Sequence, residues 1–308
     1  ASSIDEVMVG VGATGCYVTA AHALLDPGDE VILLEPFYGY HRNVLALMEG
    51  VRIRYVPAEP PAWTPDFEAL AATFSERTKA VVLNTPGNPS GKVWSRPEME
   101  RLLRLAERHD AYVLTDEIYE YMTYDGREHR SFGALPDAYE RTVTISGFSK
   151  TFNMTGWRLG YAVGPAPIIE AMGLVNDLNY ICAPAPLQHG VAEALPMDAS
   201  YYENLQRDYA RRRRLLCEAL EDAGFEFARP EGAYYVFAGF EELAGEREGF
   251  VDGQAASDTL IHEAGVAAIP GASFFEEPER GRYYLRFCFA KEIPVLRQAC
   301  EQLRSAFA

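Results

Sequence analysis

Short β-branched runs alternate with stretches of helical period through the first half of the chain. The runs Val7–Gly10, Val31–Glu35, Arg52–Val56, Ala80–Asn84, Tyr112–Thr115, Thr142–Ser146 and Gly160–Val163 read as strands. Helices fill the gaps, for instance Thr14–Leu25, Tyr40–Met48, Asp66–Phe74 and Pro97–His109, and Pro-Gly pairs at 27–28 and 86–87 punctuate as turns. This alternation predicts an α/β fold, a three-layer sandwich in which helices cover a mainly parallel seven-stranded sheet.

The pattern changes after residue 200. Tyr201 to Ala223 reads as one long helix, with apolar or aromatic residues at Tyr202, Leu205, Tyr209, Leu216 and Leu220 and a stop at Gly224. Beyond it a smaller α+β unit is expected, with strands around Phe225–Phe227, Ala233–Phe237, Val266–Ile269 and Tyr283–Phe289. Helices are expected at Gln254–Ala264 and Ile293–Phe307. The expected domains are therefore 1–205 and 206–308, divided inside the long helix.

Composition narrows the function classes. A net charge of −17 and a pI near 4.8 argue against nucleic-acid and anionic membrane partners. The one basic run, Arg211 to Arg214, lies in the long helix, where successive side chains point about 100° apart, so a solvated helix with scattered ion pairs is expected. Five scattered cysteines without C-x-x-C spacing suggest reduced thiols in a cytoplasmic compartment and no zinc site. Histidines show no paired metal-ligand spacing, and no apolar run has the length of a membrane span.

One segment suggests a dinucleotide. Gly10-Val11-Gly12-Ala13-Thr14-Gly15 follows a strand, opens a helix and fits G-x-G-x-x-G, and Glu35 ends the next strand near the distance of a ribose-binding acid. That reading predicts a nicotinamide-dependent dehydrogenase. No hydride-transfer site follows in the chain, whereas a glycine-rich strand-to-helix turn can hold any phosphate. The phosphate is kept and the dinucleotide is not.

Other chemistry collects just past the predicted strand ends, where open α/β sheets bind ligands. Gly12, Ala13 and Thr14 can cradle phosphate, and Phe37-Tyr38 offers aromatic faces for stacking. Asn84-Thr85-Pro86-Gly87-Asn88-Pro89-Ser90-Gly91 is a rigid turn presenting Asn88, and Asp116 and Tyr119 follow the next strand. Lys150 then stands in Ser146-Gly147-Phe148-Ser149-Lys150, with Arg158 eight residues on between glycines. Only four of the 28 basic residues are lysines, so one in a glycine-serine loop looks placed rather than generic. Taken singly, such residues are ordinary turn formers, helix caps or solvated charges; their convergence on one sheet edge is the signal.

With these motifs the chain resembles pyridoxal-5′-phosphate (PLP) enzymes of the aspartate aminotransferase fold, the class I/II aminotransferases, over essentially its whole length. The resemblance rests on the Lys150 segment, N-x-P-x-N-P-x-G at 84–91 and D-E-I-Y at 116–119. It implies that Lys150 forms a Schiff base with PLP, that Asp116 pairs with the pyridine nitrogen, and that Asn88 and Tyr119 bond the ring's 3′-oxygen. Tyr38 is implied to stack on the ring, and Ala13, Thr14 and Arg158 to bind the phosphate. Arg286, in Tyr283-Tyr284-Leu285-Arg286-Phe287, is implied to grip a substrate α-carboxylate together with Asn88, against the plain alternative of a structural ion pair. Transfer of the amino group of an α-amino acid to a 2-oxo acid, and a homodimer with shared active sites, are the implied activity and assembly. Tyr180, Cys182 and Pro184, in a loop at Asn179–Leu187, resemble the segment that reaches the partner's site.

Two departures accompany the resemblance. Family members carry several dozen residues ahead of the first strand read here, so the chain is expected to lack that segment and its pocket contacts. Where a serine often stands three residues before the lysine, this chain has Gly147, with Ser146 and Ser149 as alternative phosphate contacts. The same scaffold also serves C–S β-lyases, cyclopropane-forming synthases and the PLP-sensing domains of transcription regulators. These remain alternatives at the level of sequence.

Overall fold

The computed structural model describes residues 3–308. Its first sheet contains β1 (Val7–Val11), β2 (Glu30–Glu35), β3 (Arg52–Glu59), β4 (Thr64–Pro65), β5 (Thr78–Asn84), β6 (Tyr112–Asp116), β7 (Thr142–Gly147) and β8 (Leu159–Val163). Their order across the sheet is β1-β8-β7-β6-β5-β2-β3-β4. The run from β3 through β2, β5 and β6 to β7 is parallel, while β8 is antiparallel to both of its neighbours. All seven expected strands form. The eighth, β4, is a two-residue edge strand against β3, too short to leave a periodic trace.

Helices cover both faces. They are α1 (Gly12–Leu24), α2 (Gly39–Ala46), α3 (Phe67–Thr73), α4 (Arg96–Arg108), α5 (Phe148–Thr151), α6 (Ala166–Tyr180) and α7 (Ala185–Ala194). On one face Val31, Leu33, Ala80, Val82 and Leu114 pack with Cys16, Tyr17 and Ala20 of α1 and Met172 of α6. On the other, Ile32, Val81, Leu83 and Val113 pack with Leu70 of α3 and Met99, Leu102 and Ala106 of α4. Successive strand residues thus enter opposite cores, which is why the central strands read as unbroken apolar runs rather than alternating ones. At the start of α4 the Ser95 N–H donates to the Glu98 carboxylate at 2.8 Å, satisfying one orphan donor of the first turn.

The long helix α8 (Ala199–Asp222) precedes α9 (Glu241–Ala244), α10 (Gly253–Ala264), α11 (Ile293–Ala306) and a second sheet of β9 (Tyr235–Gly239), β10 (Ile269–Pro270) and β11 (Tyr284–Cys288). That sheet is antiparallel in the order β10-β11-β9. Residue 205, the expected boundary, lies in the second turn of α8. The core beside this sheet also takes in Ile118, Tyr119, Met122 and Tyr124 from the segment after β6, so it is not built from the C-terminal residues alone.

Several expectations change here. Phe225–Phe227 is not a strand: Glu226 makes one bridge to Gly239 while Phe225 turns into the core. The strand expected from Ala233 starts at Tyr235, because Ala233 has a left-handed backbone with φ 57°. Val266–Ile269 shrinks to Ile269–Pro270. Asn179–Leu187 is mostly not a loop, since α6 runs to Tyr180 and α7 starts at Ala185. Arg213 is not solvated: it is 6% exposed, donates to both carboxylate oxygens of Asp125 at 2.7 and 2.8 Å, and bonds the Pro230 carbonyl. Among the described residues no helix is long and apolar enough to cross a membrane.

Candidate active site

Strand order disposes of the dinucleotide reading. β1 pairs only with β8, and four strands separate it from β2, whose end carries Glu35. Glu35 is buried, accepts from Arg280 Nη1 at 2.6 Å and the Glu276 N–H at 2.5 Å, and cannot serve a ligand at Gly12. The glycine turn works differently. Gly12 takes φ 72° and starts α1 two residues earlier than expected, with no side chain capping the first turn. The positive φ is what favours glycine there, and a Cβ would also stand 2.7 Å from Arg158 Nη2. This close approach brings the guanidinium and the free N–H groups of the helix start to one place, where both can face an anion. Arg158 itself is left-handed at φ 54°, with Nη1 donating to the Thr155 carbonyl at 3.2 Å.

Next along the sheet edge come the ends of β5, β6 and β7. Asn84 and Asp116 are register partners, and Asn84 Nδ2 donates to the Asp116 carbonyl at 2.9 Å. Asn84 Oδ1 in turn accepts the Asn88 N–H at 2.7 Å, which orients the following turn. The buried Asp116 carboxylate accepts the Ile118 N–H at 3.2 Å and lies 2.9 Å from His41 Nε2. The His41 ring packs edge-on to Tyr38 at 5.3 Å. Gly147, the last residue of β7, sits in a tight spot: a Cβ would meet the Leu159 carbonyl at 3.0 Å and Gly160 Cα at 3.1 Å. Ser146 faces away and donates to Glu120 Oε1 at 2.8 Å, leaving Ser149 on the cavity.

These residues enclose a cavity of about 360 Å³. Ala13, Thr14, Tyr38, Asn88, Asp116, Tyr119, Lys150 and Arg158 all line it, so every residue the resemblance implied for the cofactor meets in one space. Tyr40, Asn84, Ile118, Ser149, Thr155 and Tyr235 complete the wall; of these Tyr40, Ile118, Thr155 and Tyr235 were not anticipated as site residues. Arg286 stands just behind it: its Nη1 donates to Asn88 Oδ1 at 2.8 Å, and its guanidinium lies 4.3 Å from the Tyr235 ring centroid. Its Nε is buried without a partner. The plain alternative for Arg286, a structural ion pair, fails, because no carboxylate pairs with it among the described residues.

Electrostatics divides the wall. Burial holds the Lys150 ammonium below the ordinary lysine range; Arg158 adds to this, while Cys288 and Asp116 oppose it. No carboxylate pairs with Lys150 either. A partly buried amine with a cation nearby is the standard route to a nucleophilic lysine. Burial, then Tyr235 and Tyr234, keep the Tyr119 hydroxyl neutral well above its usual range, and it donates to Tyr235 Oη at 3.3 Å. Tyr38 is likewise held neutral by burial and by the Asp116 carboxylate. His41 is the functional neighbour that sequence reasoning missed. Its only trace was its position one helical turn after Tyr38, which is no signal without knowledge that Asp116 lies opposite.

The description "Aminotransferase class I and II" matches residues 2–303. Kynurenine–oxoglutarate transaminase 1 of Homo sapiens is 35% identical over 327 residues, covering 98% of this chain and 77% of that protein. Methionine aminotransferase of Escherichia coli (strain K12) is 34% identical over 300 residues, covering 97% of this chain and 76% of that protein. Among solved structures, the N-succinyldiaminopimelate aminotransferase of Mycobacterium tuberculosis superposes with a TM-score of 0.92 at 33% identity, over 98% of this chain and 78% of that one. Sequence and fold agree, and the chain belongs to the class I and II aminotransferases, enzymes that move an amino group from an amino acid to a 2-oxo acid.

Proposed function

We propose that the cavity holds pyridoxal 5′-phosphate, and that Lys150 and Arg286 act on an α-amino acid and a 2-oxo acid in turn. One observation carries the reading. In a chain of net charge −17, Lys150 and Arg158 line one cavity, Arg286 stands just behind it on Asn88, and none has a carboxylate partner among the described residues. Unpaired cations around a shared space await anions, and a phosphate and a substrate carboxylate supply them.

The residues fit the group. The free N–H groups at the start of α1, the Thr14, Ser149 and Thr155 hydroxyls and Arg158 would hold the phosphate. Asp116 would pair with the pyridine nitrogen, Asn88 and Tyr119 with the ring's 3′-oxygen, and Tyr38 would cover a ring face. When bound, the protonated pyridine ring supplies an electron sink that lowers the cost of negative charge at the substrate α-carbon. Asp116 keeps the proton on that nitrogen, and His41 holds the carboxylate in place through Oδ2. Lys150 Nζ, weakly basic for a lysine, takes the α-proton and redelivers it. Arg286 uses its unpaired Nε and a terminal nitrogen for a two-point grip on the α-carboxylate, and Asn88 fixes the remaining edge of the guanidinium.

A homodimer belongs to the same reading. Leu174, Leu178 and Ile181 leave a solvent-facing apolar strip at the end of α6, beside Tyr180, which approaches Gly15 of the phosphate-binding helix.

Visible absorbance of the purified protein with added PLP tests the assignment. The expected result is a band that an amino acid bleaches and a 2-oxo acid restores, with the borohydride-reduced label mapping to Lys150. A label elsewhere overturns the lysine assignment. Release of ammonia and pyruvate without restoration replaces transfer by β-elimination.

A further inference from the structure

Away from the catalytic cavity, a second space of about 290 Å³ opens between the β3–β4 turn and the small sheet. Its wall combines aromatic faces, Trp63, Phe227, Tyr283 and Tyr284, with the carboxylates of Glu226 and Glu241. Trp63 is 6% exposed and packs 5.3 Å from Phe237 and 5.4 Å from Tyr284, while Phe237 and Tyr284 stack at 5.0 Å. Trp63 holds this position with a left-handed backbone, φ 53°, a conformation that costs a bulky residue about 1–2 kcal/mol. No lysine or arginine lines the space. Glu226 and Glu241 carry no ion pair among the described residues, and neither does the neighbouring Glu59. Burial raises the Tyr284 hydroxyl, and then Glu241, Glu226 and Glu59 raise it further, so all three carboxylates direct their field at one ring.

Aromatic faces attract cations through the ring quadrupole, and carboxylates at the rim add a Coulombic term. The Arg282 guanidinium lies 5.2 Å from the Tyr283 ring centroid and is neutralised by Glu279 at 2.8 Å, so no cation of the protein pairs with Glu226 or Glu241 among the described residues. We propose that this aromatic and acidic cavity is a binding site for a small organic ammonium ion, distinct from the amino-acid site and independent of the cofactor. The volume suits a compact head group with a short chain, and it excludes a folded polypeptide segment. Trp63 also borders the space that reaches Tyr38, His41 and Asn88, so its ring is shared between the two regions.

The probe is choline chloride, titrated into the full chain by calorimetry and tryptophan fluorescence, against 3,3-dimethylbutan-1-ol as neutral isostere and equal sodium chloride. The expected result is saturable choline binding, about tenfold weaker for the isostere and absent for sodium. Glu226→Gln with Glu241→Gln should weaken choline about tenfold or more and leave amino transfer unchanged. Both side chains are exposed, and Glu241→Gln alone gives a smaller shift in the same direction. Equal binding of choline and isostere, an unchanged affinity in the double variant, or no saturation overturns the proposal. None of these outcomes depends on whether PLP occupies the other cavity.

Discussion

The two sheets equip the cavity in different ways. The eight-stranded sheet supplies Asp116 from the end of β6 and Lys150 from α5, which directly follows the adjacent parallel strand β7, and Asp116 is held by the Ile118 N–H, Asn84 and His41. The three-stranded sheet supplies Arg286 and Tyr235 from an antiparallel ladder, and Arg286 reaches the first sheet through one hydrogen bond, to Asn88. A group built into a sheet edge is pre-positioned whatever occupies the cavity. A cation held by one neutral partner and two ring faces keeps its binding capacity for a ligand. On the proposed function, the first sheet would serve the cofactor and the chemistry, and the second substrate capture.

The sharpest break in this contrast is Lys150→Ala. Amino transfer should fall by at least about a thousandfold, because the proposed imine-forming amine and proton carrier is removed. The cofactor-free variant should be no less stable than the parent in thermal unfolding, since a partly buried, unpaired cation has been removed. Asp116→Ala comes next. It should lower kcat about a hundredfold or more and cost about 1–3 kcal/mol of stability, because His41 is left buried without its partner. Chemical denaturation measures the second effect separately from the first.

Arg286→Gln should act in the other register. KM for amino acids should rise about tenfold to a hundredfold, with PLP affinity unchanged, as expected for loss of charge-assisted hydrogen bonds to a carboxylate. Equal losses of cofactor and substrate binding would dissolve the division between the sheets. The smallest effect is a shift in pH dependence. Because folding depresses the Lys150 pKa, the folded state binds fewer protons than the unfolded chain between the two values, so the cofactor-free protein gains stability as pH rises through that window and loses it as pH falls. Arg158→Gln removes a cation that depresses Lys150, so amine labelling of Lys150 should require a higher pH than in the parent.

Much of this site was legible because its residues are tied to local patterns. Asn84, Asp116 and Lys150 each end or follow a β-branched run, and such runs announce themselves through composition over a few residues. Ser149 could not be told from Ser146, because the change from strand to helix between them decides which hydroxyl faces the cavity: Ser146 lies in β7 and meets Glu120, while Ser149 lies in α5 and lines the cavity. Arg213 was misjudged for a similar reason. Four consecutive arginines on a helix look alike in sequence, and only the packing of the 125 turn against α8 selects one for burial.

The sequence by itself determined the alternation of strands and helices in the first half, the glycine-rich turn before the first helix, and the list of polar groups waiting at the strand ends. These follow from side-chain periodicity and backbone stereochemistry, which act over one or two turns. Tertiary structure alone decided which of those ends become neighbours. It placed four strands between Glu35 and the glycine turn, set His41 against Asp116 across 75 residues of chain, and joined Arg286 to Asn88 across 198. Strand order and the seating of one sheet against another are chosen by burial of whole faces, a sum over distant residues that no local window contains.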